Sequence, residues 1–126
     1  MVDITPAVPQ GRQLINGYGN WGFRIAGESH KGSVIVLPDR TIHWPVTAWQ
    51  DVGPESFASV VEAAESVEVL LIGCGARMAM PSPAMRGALR AHGIVPETMD
   101  TGAACRTFNV LLSEERAVAA ALIAVE

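Results

Sequence analysis

Two uninterrupted apolar runs set the strongest constraint on the fold of this 126-residue chain. The segment Gly32–Pro38 has the sequence GSVIVLP, and Glu68–Gly73 has the sequence EVLLIG. A strand with one solvated face alternates apolar and polar residues, whereas a run without alternation is typical of a strand covered on both faces. We therefore expect a central sheet with further layers packed on each side.

The N-terminal half carries other strand patterns. Extended chain is predicted over Gln13–Tyr18 and Gly22–Gly27, on either side of a glycine- and asparagine-rich turn, with Phe23 and Ile25 on one face. A short extended segment, Thr41–Trp44, is predicted before the next proline. This half is therefore expected to extend or flank the central sheet.

The C-terminal half contains three segments with helical spacing. Pro54 suits the first position of a helix, where its missing N–H costs nothing. Ser82 and Pro83 are an N-cap and a first-turn proline, and Gly93 is well placed to end that helix. A third helix is predicted over residues 101–112. The positions expected to share one face in these helices are Phe57, Val60, Val61 and Ala64; Met85, Ala88, Leu89 and His92; and Thr101, Ala104, Phe108 and Leu111.

Strands are predicted between and after these helices, over Ile94–Met99 and Arg116–Val125. The alanines of the last segment favour a helix, but it is short and apolar on both alternating faces, so a strand is preferred. Strands alternating with helices indicate an α/β fold. In open α/β sheets ligands bind beyond the carboxyl ends of the strands, so the loops after Ile72 and Met99 should lie close together.

Composition limits the classes of partner. The formal net charge is −4, and the nine Lys and Arg residues are scattered, so nucleic-acid binding and basic attachment to membranes are disfavoured. The apolar runs are far shorter than the roughly 20 residues of a membrane helix. The N-terminal segment Met1–Gly11 lacks the features of a signal peptide. These observations predict one cytoplasmic domain over residues 1–126.

The tripeptide Asp100-Thr101-Gly102 matches the active-site motif of aspartic proteases. Such enzymes need two aspartates that share a proton, and this chain would have to dimerise to supply both. The motif also precedes a helical pattern, not the strands of an all-β barrel. We therefore interpret Asp100 or Thr101 as the N-cap of the helix.

A ligand site is a second interpretation of the same region. The start of this helix beside Gly73-Cys74-Gly75 would present backbone N–H groups, which attract anions. Arg106 and Arg77 could add positive charge. However, Gly-x-Gly alone lacks the further residues of a dinucleotide-binding loop or P-loop. The candidate ligand-binding residues are Gly73, Cys74, Gly75, Asp100, Thr101, Gly102 and Arg106.

Cysteines and tryptophans are the other candidates for function. Cys74 and Cys105 could have a lowered thiol pKa near a helix N-terminus, but small buried cysteines are common, and we expect burial. Trp21, Trp44 and Trp49 are candidate partner-binding residues, because tryptophan is enriched at interfaces, although it also fills small cores. Trp21 is expected to be exposed. The histidines have no metal-ligand spacing, and neither metal nor cofactor is predicted.

Four segments, taken together, resemble a known family. They are Gly17–Gly19 with Gly22–Ile25, Gly32–Pro38, Val69–Gly75 and Met99–Leu112. The chain resembles the Mth938-like family of uncharacterised domains, DUF498, from about Ile15 to Val125. Trp21 and Cys74 depart from the small or hydroxyl residues expected at those positions in the family.

The resemblance implies a three-layer α/β/α fold around a mixed sheet, with the last strand antiparallel to the others. It implies no established enzymatic activity. The family includes the mitochondrial respiratory complex I assembly factor 3, and its eukaryotic members are similar to assembly chaperones that act through protein partners. This chain shows no mitochondrial presequence, so a bacterial-type cytoplasmic protein is expected.

Two functional hypotheses follow. The first is a non-enzymatic, partner-binding protein, in line with an assembly factor for a complex I-like membrane complex, because the sequence shows no acid/base or nucleophile constellation. The alternative is a small-anion or small-molecule binding protein, or an enzyme, with its site at the Gly73–Gly75 loop and the Asp100–Arg106 helix start. A redox role for the cysteines and a homo-oligomeric state both stay open.

Overall fold

The computed structural model describes residues 2–4 and 12–126. The segment Met1–Gly11, for which no signal peptide is predicted, therefore lies largely outside the described residues. The described residues form nine strands and three α-helices, which confirms a mixed α/β fold. The strands are β1 Val2–Asp3, β2 Ile15–Gly19, β3 Gly22–Ile25, β4 Glu28–Lys31, β5 Val34–Val36, β6 Thr41–His43, β7 Val69–Gly73, β8 Val95–Met99 and β9 Val118–Leu122. The α-helices are α1 Ala58–Glu62, α2 Pro83–Arg90 and α3 Thr101–Ser113.

The strands form two sheets. One is antiparallel, with the order β1-β2-β3-β4, and the other has five strands in the order β6-β5-β9-β7-β8. The three inner strands of the larger sheet, β5, β9 and β7, come from the three segments that are apolar without alternation. An inner strand covered on both faces has no solvated side for polar residues, which is why these runs could be recognised.

Two layers cover the larger sheet, one on each face. On one face, side chains from α1 and α2, among them Val60 and Leu89, pack against β5, β7 and β9. On the other, α3 and the first sheet pack against the same strands through Phe108 and Phe23. Strand β9 shows the alternation directly: Ala119 and Ala121 belong to the first layer, and Val118, Ala120 and Leu122 to the second. The three-layer arrangement is confirmed.

The direction of the last strand requires a correction. It was expected to run antiparallel to the others, but β9 is antiparallel only to β5 and is parallel to β7. The reason is the connection through α3. This helix of 13 residues carries the chain back along the sheet from the end of β8, so β9 starts at the same edge as β7 and β8.

The predicted ends of α2 are confirmed. The Ser82 hydroxyl accepts a hydrogen bond from the Met85 N–H at 3.1 Å, and a proline occupies the first turn. Gly93 has a φ of +77°, and the Ile94 N–H donates to the Leu89 carbonyl at 3.1 Å, as in a Schellman motif. His92 was expected to share a helical face with Met85 and Leu89, but the helix ends before it, at Arg90, and His92 is exposed.

Two further elements differ from the expected pattern. The helix predicted from Pro54 is split into a 3₁₀ turn, the short α1 and a second 3₁₀ turn, and of its predicted stripe only Phe57 and Val60 are fully buried. Strand β4 was not predicted, since its four residues are polar and mostly exposed. A two-residue turn at Ala26 and Gly27, with φ of 51° and 81°, fixes its pairing with β3.

Candidate functional site

The two loops that were expected to lie together do so. The Cys74 N–H, just after β7, donates to the Met99 carbonyl at the end of β8, at 2.8 Å. One residue further, the Thr101 N–H donates to the Gly75 carbonyl at 2.9 Å. The carboxyl ends of β7 and β8 are thus joined by backbone hydrogen bonds, as the parallel pairing of these strands requires.

Thr101 joins three elements at this edge. Its hydroxyl accepts a hydrogen bond from the Gly75 N–H at 3.0 Å and donates one to the Ile123 carbonyl at 2.7 Å. The side chain is fully buried. Thr101 therefore links the loop after β7, the first turn of α3 and the end of β9. The sequence suggested only a capping role, because both partners of the hydroxyl are distant in the chain.

Gly73 and Gly75 serve different steric needs. A Cβ on Gly73 would lie 3.0 Å from the Thr101 Cα and 3.0 Å from a Leu122 methyl carbon, so the start of α3 packs closely on β7 only because this side chain is missing. Gly75 instead has a φ of +101°, in the region that favours glycine. The Gly-x-Gly pattern is explained by these two requirements of the fold.

Asp100 is the N-cap of α3, as predicted. Its Oδ1 accepts a hydrogen bond from the Ala103 N–H at 2.9 Å, and its carbonyl accepts one from the Ala104 N–H. Because the Thr101 N–H is also engaged, Gly102 alone among residues 101–103 has an amide without an acceptor in the described part of the chain. The helix start therefore offers one free N–H, not a cradle of several.

Gly102 and Arg106 lie beside Tyr18 on β2. A Cβ on Gly102 would lie 2.8 Å from the Tyr18 hydroxyl, so the glycine makes room for the ring. Arg106 Nη1 donates to the same hydroxyl at 2.9 Å. Arg106 is exposed and already has this partner, and neither residue lines the groove beside Gly75 that is described below. The predicted ligand-binding residues are therefore divided: Cys74 and Gly75 line the groove, whereas Gly102 and Arg106 lie beside Tyr18.

Both cysteines are buried, as expected. Burial raises the pKa of the Cys105 thiol to about 12, even though the neighbouring charge of Arg106 favours the thiolate. Burial also raises the pKa of the Cys74 thiol. The thiol, which is the poorly nucleophilic form, therefore predominates at both positions at neutral pH.

Both thiols are expected to react slowly in the folded protein. At about pH 8, alkylation by iodoacetamide should be far slower than for an exposed cysteine, because the thiolate is the reactive form and is disfavoured here. A time course by mass spectrometry measures this, with the denatured protein as the control in which both cysteines react fully. Rapid modification of either cysteine in the native protein would contradict the raised pKa values.

The three tryptophans differ sharply in exposure. Trp44 was a candidate partner-binding residue, but it is only 2% exposed. It packs against Phe57 with ring centroids 5.8 Å apart, and its Nε1 donates to the Ser56 carbonyl at 2.9 Å. Its large apolar ring fills the layer between α1 and the sheet, so Trp44 is a core residue. Trp49 is half-buried, and Trp21 is 57% exposed, as predicted.

Trp21 occupies an unusual backbone position. It follows Asn20 in the two-residue turn between β2 and β3, where the φ angles are 52° and 61°. Such type I′ turns favour Asn-Gly, because glycine adopts a positive φ without steric cost. The Trp21 N–H donates to the Val125 carbonyl at 2.8 Å and its carbonyl accepts from the Gly32 N–H at 2.8 Å. The turn is thereby held against the segment after β9.

Trp21 and the loop after β7 border one open groove with a volume of about 480 Å³. We call it the Trp21 groove. It lies at the carboxyl ends of β7 and β9. Cys74 and Gly75 line it together with two of the candidate tryptophans, so parts of both predicted sites converge here. Its lining residues are Trp21, residues 47–50, residues 74–79 and residues 123–126.

The exposed methionines beside this groove were not identified from the sequence. Met78 is 58% exposed and Met80 is 66% exposed, both in the loop between β7 and α2. The available signal was the MAMP tetrapeptide at residues 78–81, which places two large apolar residues where a loop usually carries polar ones.

No helix within residues 2–4 and 12–126 is long and apolar enough to cross a membrane.

Comparison with protein families gives one match over most of the chain. Residues 15–123 match the family described as "Protein of unknown function (DUF498/DUF598)". Among curated proteins, NADH dehydrogenase [ubiquinone] 1 alpha subcomplex assembly factor 3 of Xenopus tropicalis is 36% identical over 110 residues. That match covers 87% of this chain and 60% of the relative, so the chain spans somewhat more than half of the relative's length.

Solved structures agree on the fold. A protein from Bartonella henselae, described as an outer membrane protein, is 45% identical with a TM-score of 0.83, covering 93% of this chain and 98% of that one. A Bordetella pertussis protein described as a Mth938-like domain has a TM-score of 0.82 at 24% identity, covering 97% and 92% of the two chains. At that lower identity the likeness supports the fold alone.

Proposed function

Because the chain belongs to the DUF498 family, we propose that it is a non-enzymatic, partner-binding assembly factor for a respiratory, complex I-like membrane complex. The observation that carries this proposal is the 36% identity to a relative named as a complex I assembly factor. That relative is longer than this chain, so its full activity is part of the proposal. An assembly factor acts by binding immature subunits, which requires an accessible contact surface.

The described surface supports such a role. Trp21 and Met78 are each more than half exposed and line the same groove, and Met80, also more than half exposed, follows in the same loop as Met78. Aromatic and methionine side chains are enriched at protein interfaces and provide much of the binding energy there. An exposed apolar group of this kind at one end of the larger sheet is therefore suited to hold a protein partner.

Affinity capture from the native host tests this function. The tagged chain, isolated after crosslinking, is expected to bring down subunits of the NADH dehydrogenase complex, and deletion of the gene should reduce the assembled complex on native gels. Expression of the unaltered chain in the deletion strain should restore assembly. A chain that elutes alone after crosslinking, together with normal assembly in the deletion strain, would overturn the proposal.

We further propose that residues 1–126 form one domain and that the protein acts in the cytoplasm. Limited proteolysis should then leave a single resistant fragment that contains both sheets. Fractionation of the host should recover the protein with cytoplasmic markers. Two resistant fragments would contradict the first proposal, and recovery with membranes or periplasm the second.

The alternative, a small-anion site at the Gly73 loop and the start of α3, has less support from the geometry. Most of the amides that would bind an anion there already have internal partners. Phosphate and small carboxylates are therefore expected to leave the melting temperature unchanged. A dose-dependent rise that disappears in Arg106→Ala would favour the alternative, since saturation at 100 times Kd stabilises by about 2.7 kcal/mol.

A further inference from the structure

We propose that the Trp21 groove docks an apolar helical segment of a protein partner, and that this segment carries a carboxylate that pairs with Arg77. The inference rests on the partner-binding function proposed above. It adds the place of contact and the chemistry of the partner. Four features of the groove carry it: the turn that holds Trp21, the exposed methionine loop, the guanidinium of Arg77 and the inner position of the strands beneath.

The turn that holds Trp21 points to a use outside the fold. A tryptophan at a φ of 61° is strained, and the type I′ turn itself would be better served by glycine. Core packing does not account for the residue, because 57% of it is exposed. Two backbone hydrogen bonds, to Val125 and from Gly32, hold it at the rim of the groove. The backbone from which the indole projects is thereby held in place.

The loop opposite is apolar and adaptable. Met78 is 58% exposed, and methionine side chains adjust their shape to the surface that they contact. Within the described part of the chain, the backbone N–H groups of residues 76–80 donate no hydrogen bonds. The Cys74 thiol donates to the Ala79 carbonyl at 3.8 Å, and Ala79 packs against the core, so the adaptable part of the loop is Ala76–Met78.

Arg77 gives the partner a charge. It lies between Ala76 and Met78 in this loop, is exposed, and has no ion pair or hydrogen bond with any described residue. The other charged residue of the lining, Glu126, does not pair with it. Arginine binds carboxylates through two parallel hydrogen bonds and is enriched at interfaces. An apolar segment with an acidic residue complements this surface.

The topology favours a helix over an added strand. The groove lies at the ends of β7 and β9, and both of these strands already pair on each side. The outer strand β8 pairs with β7 through the Val95 N–H, which donates to the Glu68 carbonyl, so the nitrogen of Pro96 points to the free edge. Proline donates no hydrogen bond there. A partner in the groove thus finds no open strand edge on β7 or β9, which favours docking through side chains, as an amphipathic helix does.

Three synthetic helical peptides test the proposal. They share one Leu- and Met-rich face and differ at one central position, which is Glu, Gln or Lys, and binding is measured by isothermal titration calorimetry. The Glu peptide should bind best and the Lys peptide worst, with a ratio of about fivefold at low salt. In Arg77→Gln this ratio should fall close to one. In Trp21→Gly all three affinities should fall about tenfold or more, as for loss of an aromatic anchor.

Matched variants outside the groove serve as controls. Val110→Ala removes another exposed apolar side chain, on α3, and Arg90→Gln removes an exposed arginine at the end of α2; both should leave all three affinities unchanged. Met78→Ser is a second groove variant in case Trp21→Gly does not fold, and it should also weaken all three peptides. The proposal is overturned if no peptide binds, if Arg77→Gln keeps the ratio, or if Val110→Ala weakens binding as much as the groove variants.

The outcome is separable from that of the proposed function. Peptide binding in the groove without any effect of gene deletion on complex assembly would overturn the assembly role and keep the docking site. A deletion that impairs assembly, rescued equally by the unaltered chain and by Trp21→Gly, would keep the assembly role and overturn this groove as its contact surface.

Discussion

Thr101→Val is expected to lower the free energy of unfolding by about 2–5 kcal/mol. A buried polar group that loses its partner costs roughly 1–3 kcal/mol, and this substitution leaves two such groups unpaired. Valine keeps the shape of threonine but removes the hydroxyl that binds the Gly75 N–H and the Ile123 carbonyl. Chemical denaturation monitored by circular dichroism measures the loss.

Two substitutions serve as controls for Thr101→Val. Thr101→Ser keeps the hydroxyl and should retain most of the stability. Thr107→Val makes the same chemical change on the same helix at a half-buried position whose hydroxyl has no hydrogen bond to a described residue, and it should change stability by less than about 0.5 kcal/mol. Equal effects of Thr101→Val and Thr107→Val would contradict the bracing role of the Thr101 hydroxyl.

Asn109→Leu is expected to destabilise by a similar amount, about 2–5 kcal/mol, for a related reason. The Asn109 side chain is 3% exposed and makes two hydrogen bonds to one residue of β2. Its Oδ1 accepts from the Ile15 N–H and its Nδ2 donates to the Ile15 carbonyl, both at 2.9 Å. Leucine of similar size leaves both backbone groups buried and unpaired.

Hydrogen exchange distinguishes this mechanism from general loss of packing. In Asn109→Leu the Ile15 amide should exchange much faster, beyond the change expected from global stability, because its acceptor is gone. Ser113→Ala, which removes an exposed hydroxyl that binds the Val110 carbonyl, should leave Ile15 protected. An Ile15 amide that stays protected in Asn109→Leu would show that another acceptor replaces the amide oxygen.

Local patterns in the sequence were sufficient for most of the elements. The unbroken apolar runs identified the inner strands, and Ser82-Pro83 and Asp100 identified two helix starts, because each signal lies within a few residues of the structure that it specifies. The direction of β9 came from the family resemblance and was wrong for its pairing with β7. The predicted helix α3 between β8 and β9 already implied that these two strands run in the same direction, and since β8 is parallel to β7, β9 is parallel to β7 as well.

The roles of single side chains were harder to predict. Trp44 and Trp21 both lie next to loops in the sequence, yet one fills the core and the other is exposed. The difference depends on which surface each residue meets, and that is set by segments distant in the chain. Asn109 and Ile15 are 94 positions apart, so no local pattern could connect them. For the same reason the sequence could not show that Arg106 lies apart from the Gly73–Gly75 loop, since its side chain donates a hydrogen bond to Tyr18 of the first sheet.

The order of strands in the larger sheet has a consequence for synthesis of the protein. Among the described strands β9 is synthesised last, yet it lies between β5 and β7, and the segment that joins β5 to β9 spans most of the described residues. Until β9 emerges, β5 and β7 each keep an unpaired inner edge, and such edges attract other extended chains. Long-range pairing of this kind also slows folding. The nascent chain therefore passes through a stage in which its most apolar strands await their partner, and this interval is when a chaperone would protect it most.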